Sequence, residues 1–453
     1  LRYLIKKLGL VFFRFDFVNL ANLLFFAAKR RKMKTPLITN DAVVLGLLLS
    51  VLALVFYTSS QKTPFWTKFY GIVPSLLLCY FIPSLFNTFG LISGEASGLY
   101  KVASRYFLPA ALILLTISMD FPAIVRLGPK ALIVFLAGTL GIVIGGPIAL
   151  LAIAAIDPSV LQTSGGDETW RGMATIAGSW IGGSANQTAM KEVFGASDKL
   201  FSTMIAVDVI VANIWTACLL YGAARSQKVD ALLKADASVI EETKNRIETY
   251  RASIMQIPAL RDTMNIMAVG FGGTAVAHLL ADWIVPALDT QKEFLESIYL
   301  SSVISAFFWI VLIATTIGLL LSFWQPARRL EGVGASRIGS AFVYLLVATI
   351  GMQMDVLAIF DNPILFLGGV IWMLSHVGVT LLVAWLIKAP FFFVAVGSQA
   401  NVGGAASAPI VASAFHPALA PVGVLLSVLG YALGTYGGWL CGVSMQIVFE
   451  WMK

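Results

Sequence analysis

Two stretches of the chain decide its architecture: Gly178-Ser179-Trp180-Ile181-Gly182-Gly183-Ser184-Ala185-Asn186-Gln187 and Gly397-Ser398-Gln399-Ala400-Asn401-Val402-Gly403-Gly404-Ala405-Ala406-Ser407. Each lies in the middle of an apolar run long enough to cross a bilayer. Glycine is a poor helix former and reaches backbone geometries that other residues resist. Both runs are therefore expected to be helices interrupted near the bilayer midplane. In hydrocarbon such a break is tolerated only where protein or a water-filled cavity satisfies the freed amides and carbonyls. A break supplies two tools. The N-terminus of a half-helix offers N–H groups to an anion. Unwound carbonyls, with Asn, Gln and Ser oxygens, hold a cation or a polar solute. The candidate binding residues are Gly182, Gly183, Ser184, Asn186 and Gln187 in the first stretch, and Ser398, Gln399, Asn401, Gly403 and Gly404 in the second. Close helix packing through small residues is the competing account. It explains the glycines and alanines better than it explains the four amides.

The composition agrees. Apolar residues make up 58% and charged residues 12% of 453 residues, against roughly 45–50% and about 25% in soluble domains. Twelve apolar segments follow Met33, near 41–58, 69–92, 104–120, 127–156, 171–195, 199–223, 263–288, 297–323, 336–354, 362–387, 389–415 and 419–448. The expected fold is an all-α polytopic membrane protein of about twelve transmembrane helices. The net charge of +7 is spread over short loops, which excludes a nucleic-acid binder and fits the positive-inside bias. Cys79, Cys218 and Cys441 lie in apolar runs and form no metal or redox pattern. Residues 1–40 read as an N-terminal extension without function, Met33 opening an ordinary-looking start; a surface helix or an extra span is the alternative.

One long polar stretch, 225–262, interleaves acids and bases at helical spacing and reads as a cytoplasmic, partly helical linker. It separates two similar halves, 41–224 and 263–453. The third segment ends Thr116-Ile117-Ser118-Met119-Asp120 and the ninth ends Thr349-Ile350-Gly351-Met352-Gln353-Met354-Asp355. Arg126 and Lys130 in the first half match Asp355 and Asp361 in the second, which favours inverted repeats. Six spans per half would instead make the halves parallel, so one segment is expected to be miscounted.

Asp208 lies mid-segment, where a carboxylate is costly unless it is paired, protonated or facing water. It is the expected proton or sodium site; a structural bond to Asn213 or a neighbouring helix is the alternative. His376, also within a span, is a candidate proton relay. Asp120 and Asp355 read as interfacial caps, and His278 with Asp282 as an interfacial pair. No phosphate-binding lysine loop, metal-ligand spacing or nucleophile–base pattern is visible, so neither ATP-driven transport nor an enzyme is expected, and no cofactor.

Ile181 to Asn186, Ser398 to Gly404, and Leu429-Gly430-Tyr431-Ala432-Leu433-Gly434-Thr435-Tyr436-Gly437-Gly438 together resemble the YjcL-like family of membrane proteins, known as domain of unknown function 819. The resemblance covers everything from about residue 40 to the C-terminus. The family is grouped with the cation/proton antiporters and anion transporters. That implies a core domain in which two broken helices, at 178–187 and 397–407, cross and move against a scaffold domain. The chain lacks the adjacent acidic pair typical of many sodium/proton antiporters, having only Asp208 after the first crossing. The expected function is thus Na⁺- or H⁺-coupled symport of a small polar or anionic solute. A Na⁺/H⁺ antiporter is the first alternative, and a non-transporting membrane sensor or subunit the second. The bilayer and a small solute are the expected partners, with a homodimer as the expected assembly and the bacterial inner membrane as its place.

Overall fold

The computed structural model describes residues 36–453 apart from 71–72, 74, 95, 120–123, 126, 234–258, 354–361 and 417–418. Asp120, Arg126, Asp355, Asp361, the N-terminal extension up to residue 35 and most of the linker lie outside the described residues. Those described are helical, with no strand among them.

The described residues of Leu1–Leu99 and Ala348–Val356 form one compact unit, and those of Tyr100–Val347 and Leu357–Lys453 a second. The first unit holds α1 (Asp41–Ser59), α2 (Pro64–Tyr70) and α3 (Ser75–Thr88). Asn40 starts α1 in the usual way: its side-chain oxygen accepts the Ala42 N–H at 2.9 Å, one of the donors a helix start leaves free.

The second unit carries α4 (Leu99–Ile117), α5 (Pro129–Ile156), α6 (Thr169–Phe194), α7 (Asp198–Ala223), α8 (Ser226–Leu233), α9 (Leu260–Asp289) and α10 (Ala306–Ser322). There follow α11 (Ala335–Gly351), which the division between units cuts near its end, then α12 (Pro363–Leu386), α13 (Phe391–Val402), α14 (Gly404–Phe415) and α15 (Ala420–Met452). Among the described residues seven helices are long and apolar enough to span a membrane, or nine if two bent pairs each count as one span. All twelve segments read from the sequence hold helix. The three beyond those nine are the interrupted α6, the short α11 and the α13–α14 pair.

The faces of α5 show why these helices belong in lipid. Ile133, Leu136, Leu140, Ile144, Ile148 and Leu151 recur at spacings of three and four and are all exposed. The opposite face is small: Gly138, Gly141, Gly145 and Gly146 let α12 approach until His376 and Trp372 lie against the backbone. A greasy outer stripe and a small-residue inner seam are what a helix packed in a bilayer requires. Alpha-helix α6 meets α15 in the same manner. Gly178 faces Gly438 and Gly182 faces Gly434, one turn apart on antiparallel helices, and a Cβ on Gly434 would sit 2.5 Å from Gly182 Cα.

The linker's described ends are helical. In α8, Asp230 accepts the N–H of Phe391 at 2.7 Å and so closes the start of α13. His278 does not turn to Asp282: its Nε2 bonds the Arg105 carbonyl at 2.9 Å.

Candidate functional site

Both Gly-Gly pairs interrupt their helices, and within each pair the two glycines do different work. Gly183 has φ 77° and ψ −174°, so α6 is two half-helices joined there. Gly404 has φ 58° and opens α14 just after Gly403, which separates it from α13. These second glycines have open space around them; a Cβ on Gly183 would meet nothing nearer than a Tyr431 ring carbon at 3.7 Å. The first glycines, Gly182 and Gly403, are instead needed for space. A Cβ on Gly182 would run into Asn186 and α15, and one on Gly403 into Ser407 and Gln399. The two second half-helices then end at Phe194 and Phe415. Backbone geometry like that of Gly183 is essentially reserved to glycine, at a cost of about 1–3 kcal/mol for other residues. Gly183→Ala should therefore lower stability by about that amount through the backbone alone, and thermal unfolding of the purified variant measures it.

Asp208 of α7 lies at the first interruption and is 7% exposed. Its Oδ1 accepts from Trp180 Nε1 at 2.7 Å. Its Oδ2 accepts from Ser179 Oγ at 2.6 Å and from Gln187 Nε2 at 3.1 Å. Ser179 and Trp180 precede Gly183 and Gln187 follows it, so one carboxylate holds both halves of α6. All three donors are neutral. Among the described residues no lysine, arginine or histidine pairs with Asp208. Asn213 bonds its own helix through the Val209 carbonyl.

The same helix reaches the second interruption. Trp215 Nε1 donates to Ser398 Oγ at 2.8 Å, and Thr216 exchanges bonds with the Gln399 amide at 2.9 and 3.1 Å. Gln399 also donates to Ser407 Oγ, across the break, at 2.6 Å. Ser398 Oγ lies 2.7 Å from His376 Nε2, whose Nδ1 is 2.8 Å from the Gly138 carbonyl. A carbonyl can only accept, so Nδ1 carries the proton, and in the neutral ring Nε2 accepts from Ser398.

Asn186 and Asn401 are used differently. Asn186 Nδ2 donates to the Gly182 and Tyr431 carbonyls, both at 3.0 Å, and its Oδ1 accepts from Thr435 at 2.6 Å. Asn401 Nδ2 donates to the Phe135 and Gly397 carbonyls at 2.9 and 3.2 Å, and its Oδ1 accepts from Thr139 at 2.8 Å. Each amide clamps its broken helix to a neighbour carrying the same local pattern: Phe135-x-x-Gly138-Thr139-x-Gly141 in α5 and Tyr431-x-x-Gly434-Thr435-x-Gly437 in α15. The aromatic residue supplies the carbonyl, the glycine the close approach and the threonine the donor. The four amides thus share no partner: Gln187 and Gln399 face α7, while Asn186 faces α15 and Asn401 faces α5. Truncating Asn186 or Asn401 to Ala takes the amide acceptor from Thr435 or Thr139 and the donor from two carbonyls, so each variant should lose about 1–3 kcal/mol. Unfolding followed beside solute binding separates this clamp role from a ligand role.

Two features were missed in the sequence. Thr139 and Thr435 had a signal, the pattern just given. Lys191 had none: it is buried, bonds Tyr100 Oη at 3.0 Å and pairs with Asp198 at 2.7 Å, while Glu192 pairs with Arg105 at 3.0 Å and accepts from Tyr100. This cluster ties the end of α6 and the start of α7 to α4. Nearby, a cavity of about 450 Å³ opens where α5 ends and α6, α7 and α12 begin, lined in part by Asp157, Thr163, Asp167, Lys199, Thr203 and Asn362. Among the described residues no group of three or more His, Cys, Asp or Glu gathers as a metal site would.

The fold and these breaks define an integral membrane protein of apolar helices, two of its helical segments interrupted at glycine. The family described as "Protein of unknown function (DUF819)" matches residues 46–448, and the chain belongs to it. It is also 23% identical over 423 residues to "Uncharacterized membrane protein YjcL" of Bacillus subtilis (strain 168), an alignment covering 90% of this chain and 98% of that protein.

Proposed function

We propose that the protein is a secondary transporter in which a coupling cation drives a small polar or anionic organic solute across the membrane, without enzymatic chemistry. The observation that carries this reading is Asp208: a buried carboxylate without a cationic partner among the described residues, holding together the two halves of an interrupted helix. A carboxylate at membrane depth is a functional site by default. Paired interrupted helices are the usual place for a transporter to bind its ion and solute.

In this reading the twelve segments are the spans, the two Gly-Gly segments cross, and the halves form inverted repeats as in the cation/proton antiporters and anion transporters. The bacterial inner membrane is its site. A Na⁺/H⁺ antiporter is the second reading, favoured by the same carboxylate. The test is reconstitution: vesicles holding the protein should accumulate a solute from a screened set only when an inward cation gradient is imposed. Cation exchange with no solute in either compartment would favour the antiporter, and neither flux under any gradient would sink both.

A further inference from the structure

We infer that the ion taken up at Asp208 is a proton, and that Gln187 reports its arrival to the second half of α6 by turning its amide. The inference deepens the transporter reading and rests on it for its physiological role. A sodium ion is a hard cation that needs several converging oxygens. Here Trp180 presents an indole N–H to Oδ1 at 2.7 Å and Gln187 presents an amide N–H to Oδ2 at 3.1 Å, so among the described residues Ser179 is the only oxygen donor bonded to the carboxylate. Tryptophan Nε1 can only donate. A cation beside Oδ1 would face the Trp180 N–H, and beside Oδ2 it would find at most Ser179 Oγ and a turned Gln187 Oε1, fewer oxygens than such an ion needs.

A proton meets no such obstacle. It leaves a water-borne acid, forms an O–H bond on Oδ2 and takes the site from one negative charge to none. The new O–H is a donor and needs an acceptor. Gln187 supplies one by a half-turn about its last side-chain bond, which replaces the N–H with Oε1. Ser179 can donate or accept, and Trp180 keeps donating to Oδ1. In both protonation states each carboxyl oxygen thus keeps a hydrogen-bond partner, and the bond that reverses is the one crossing Gly183.

The charged groups on the elements packed against α7 are committed elsewhere. On α6, Arg171 pairs with Glu168 at 2.8 Å, Lys191 with Asp198, and Glu192 with Arg105. His376 of α12 bonds Ser398 and Gly138. Helices α13 and α14 carry no titratable side chain. Lys199 is at the outer start of α7, Asp167 before it bonds Ser197, and Lys228 and Asp230 lie on α8 beyond its far end. None is bonded to Asp208.

The experiment is a pH-difference infrared titration of the wild-type protein in lipid, run in sodium chloride and in choline chloride of equal strength. A protonated-carboxyl band should grow as pH falls, vanish in Asp208→Asn and have the same midpoint in both salts. If sodium competes at the carboxylate, the midpoint falls by up to about one pH unit per tenfold rise in sodium, and the inference is overturned. A band that persists in Asp208→Asn also overturns it. Gln187→Met gives a second reading should the Asn variant not fold: the band must move, because its O–H has lost the amide acceptor, and an unmoved band refutes the role of Gln187. The spectrum requires neither solute nor flux. A protein that titrates as stated yet transports nothing refutes only the transporter reading, and a sodium-shifted midpoint with intact uptake refutes only this one.

Discussion

Asp208→Asn is expected to abolish cation-driven accumulation while leaving the protein folded. The folded part follows from hydrogen-bond accounting. Asparagine keeps the shape; its oxygen accepts from Trp180, and its amide donates to Ser179 and to a turned Gln187, so the new side chain keeps its three neighbours as partners. What is lost is the exchangeable charge. A tenfold gradient of a monovalent cation is worth about 1.4 kcal/mol, enough for roughly tenfold accumulation of a solute moving with one such ion. The variant should bring the solute only to equal concentrations on the two sides. Uptake in vesicles, paired with a thermal unfolding curve, reads both parts; undiminished accumulation by a folded variant would remove Asp208 from the coupling.

The second large effect is structural. At Gly434 a Cβ would lie 2.5 Å from Gly182 Cα and 2.6 Å from Asn186 Nδ2. Neither contact is the loose end of a side chain, since one is backbone and the other an amide held by three bonds. Overpacking a tight interface costs about 1–3 kcal/mol, and loss of the Asn186 clamp adds a similar amount. Against a total stability of about 5–15 kcal/mol, Gly434→Ala should lower the melting temperature sharply and Gly434→Leu should not fold. Gly272→Ala and Gly378→Ala are the controls. A Cβ there meets nothing within 4 Å, so they should be neutral or gain up to about 1 kcal/mol from better helix propensity. Equal losses at all of these positions would show that glycine content alone, and not contact, sets stability.

These two residues also mark what a single sequence makes legible. The interruptions were readable because glycine pairs inside apolar runs have a local physical meaning. Asp208 was readable because charge inside a span is costly wherever it occurs. Which glycine of each pair bends the chain and which makes room was not readable, because that depends on the helix opposite. Nor were the partners of Asn186 and Asn401, which lie 245 to 266 residues away along the chain. The amides looked alike in the sequence, yet the two glutamines face α7 and the two asparagines fasten α6 and α13 to different neighbours. His376 was singled out by its place in a span, but its bond to Ser398 required the fold. Lys191 was passed over because, eight residues after Gly183, it looks like an ordinary cation at a helix end.

Helix α7 is a mechanical link between the two interruptions. It holds the first interruption at Asp208 and the second at Trp215 and Thr216, a separation of about 10 Å along a helix rising 1.5 Å per residue. An intact α-helix is stiff along its axis on that scale. It works as a tie rod pinned at both ends: neither interruption can shift along α7 without loading the pin at the other, so the two behave as one joint.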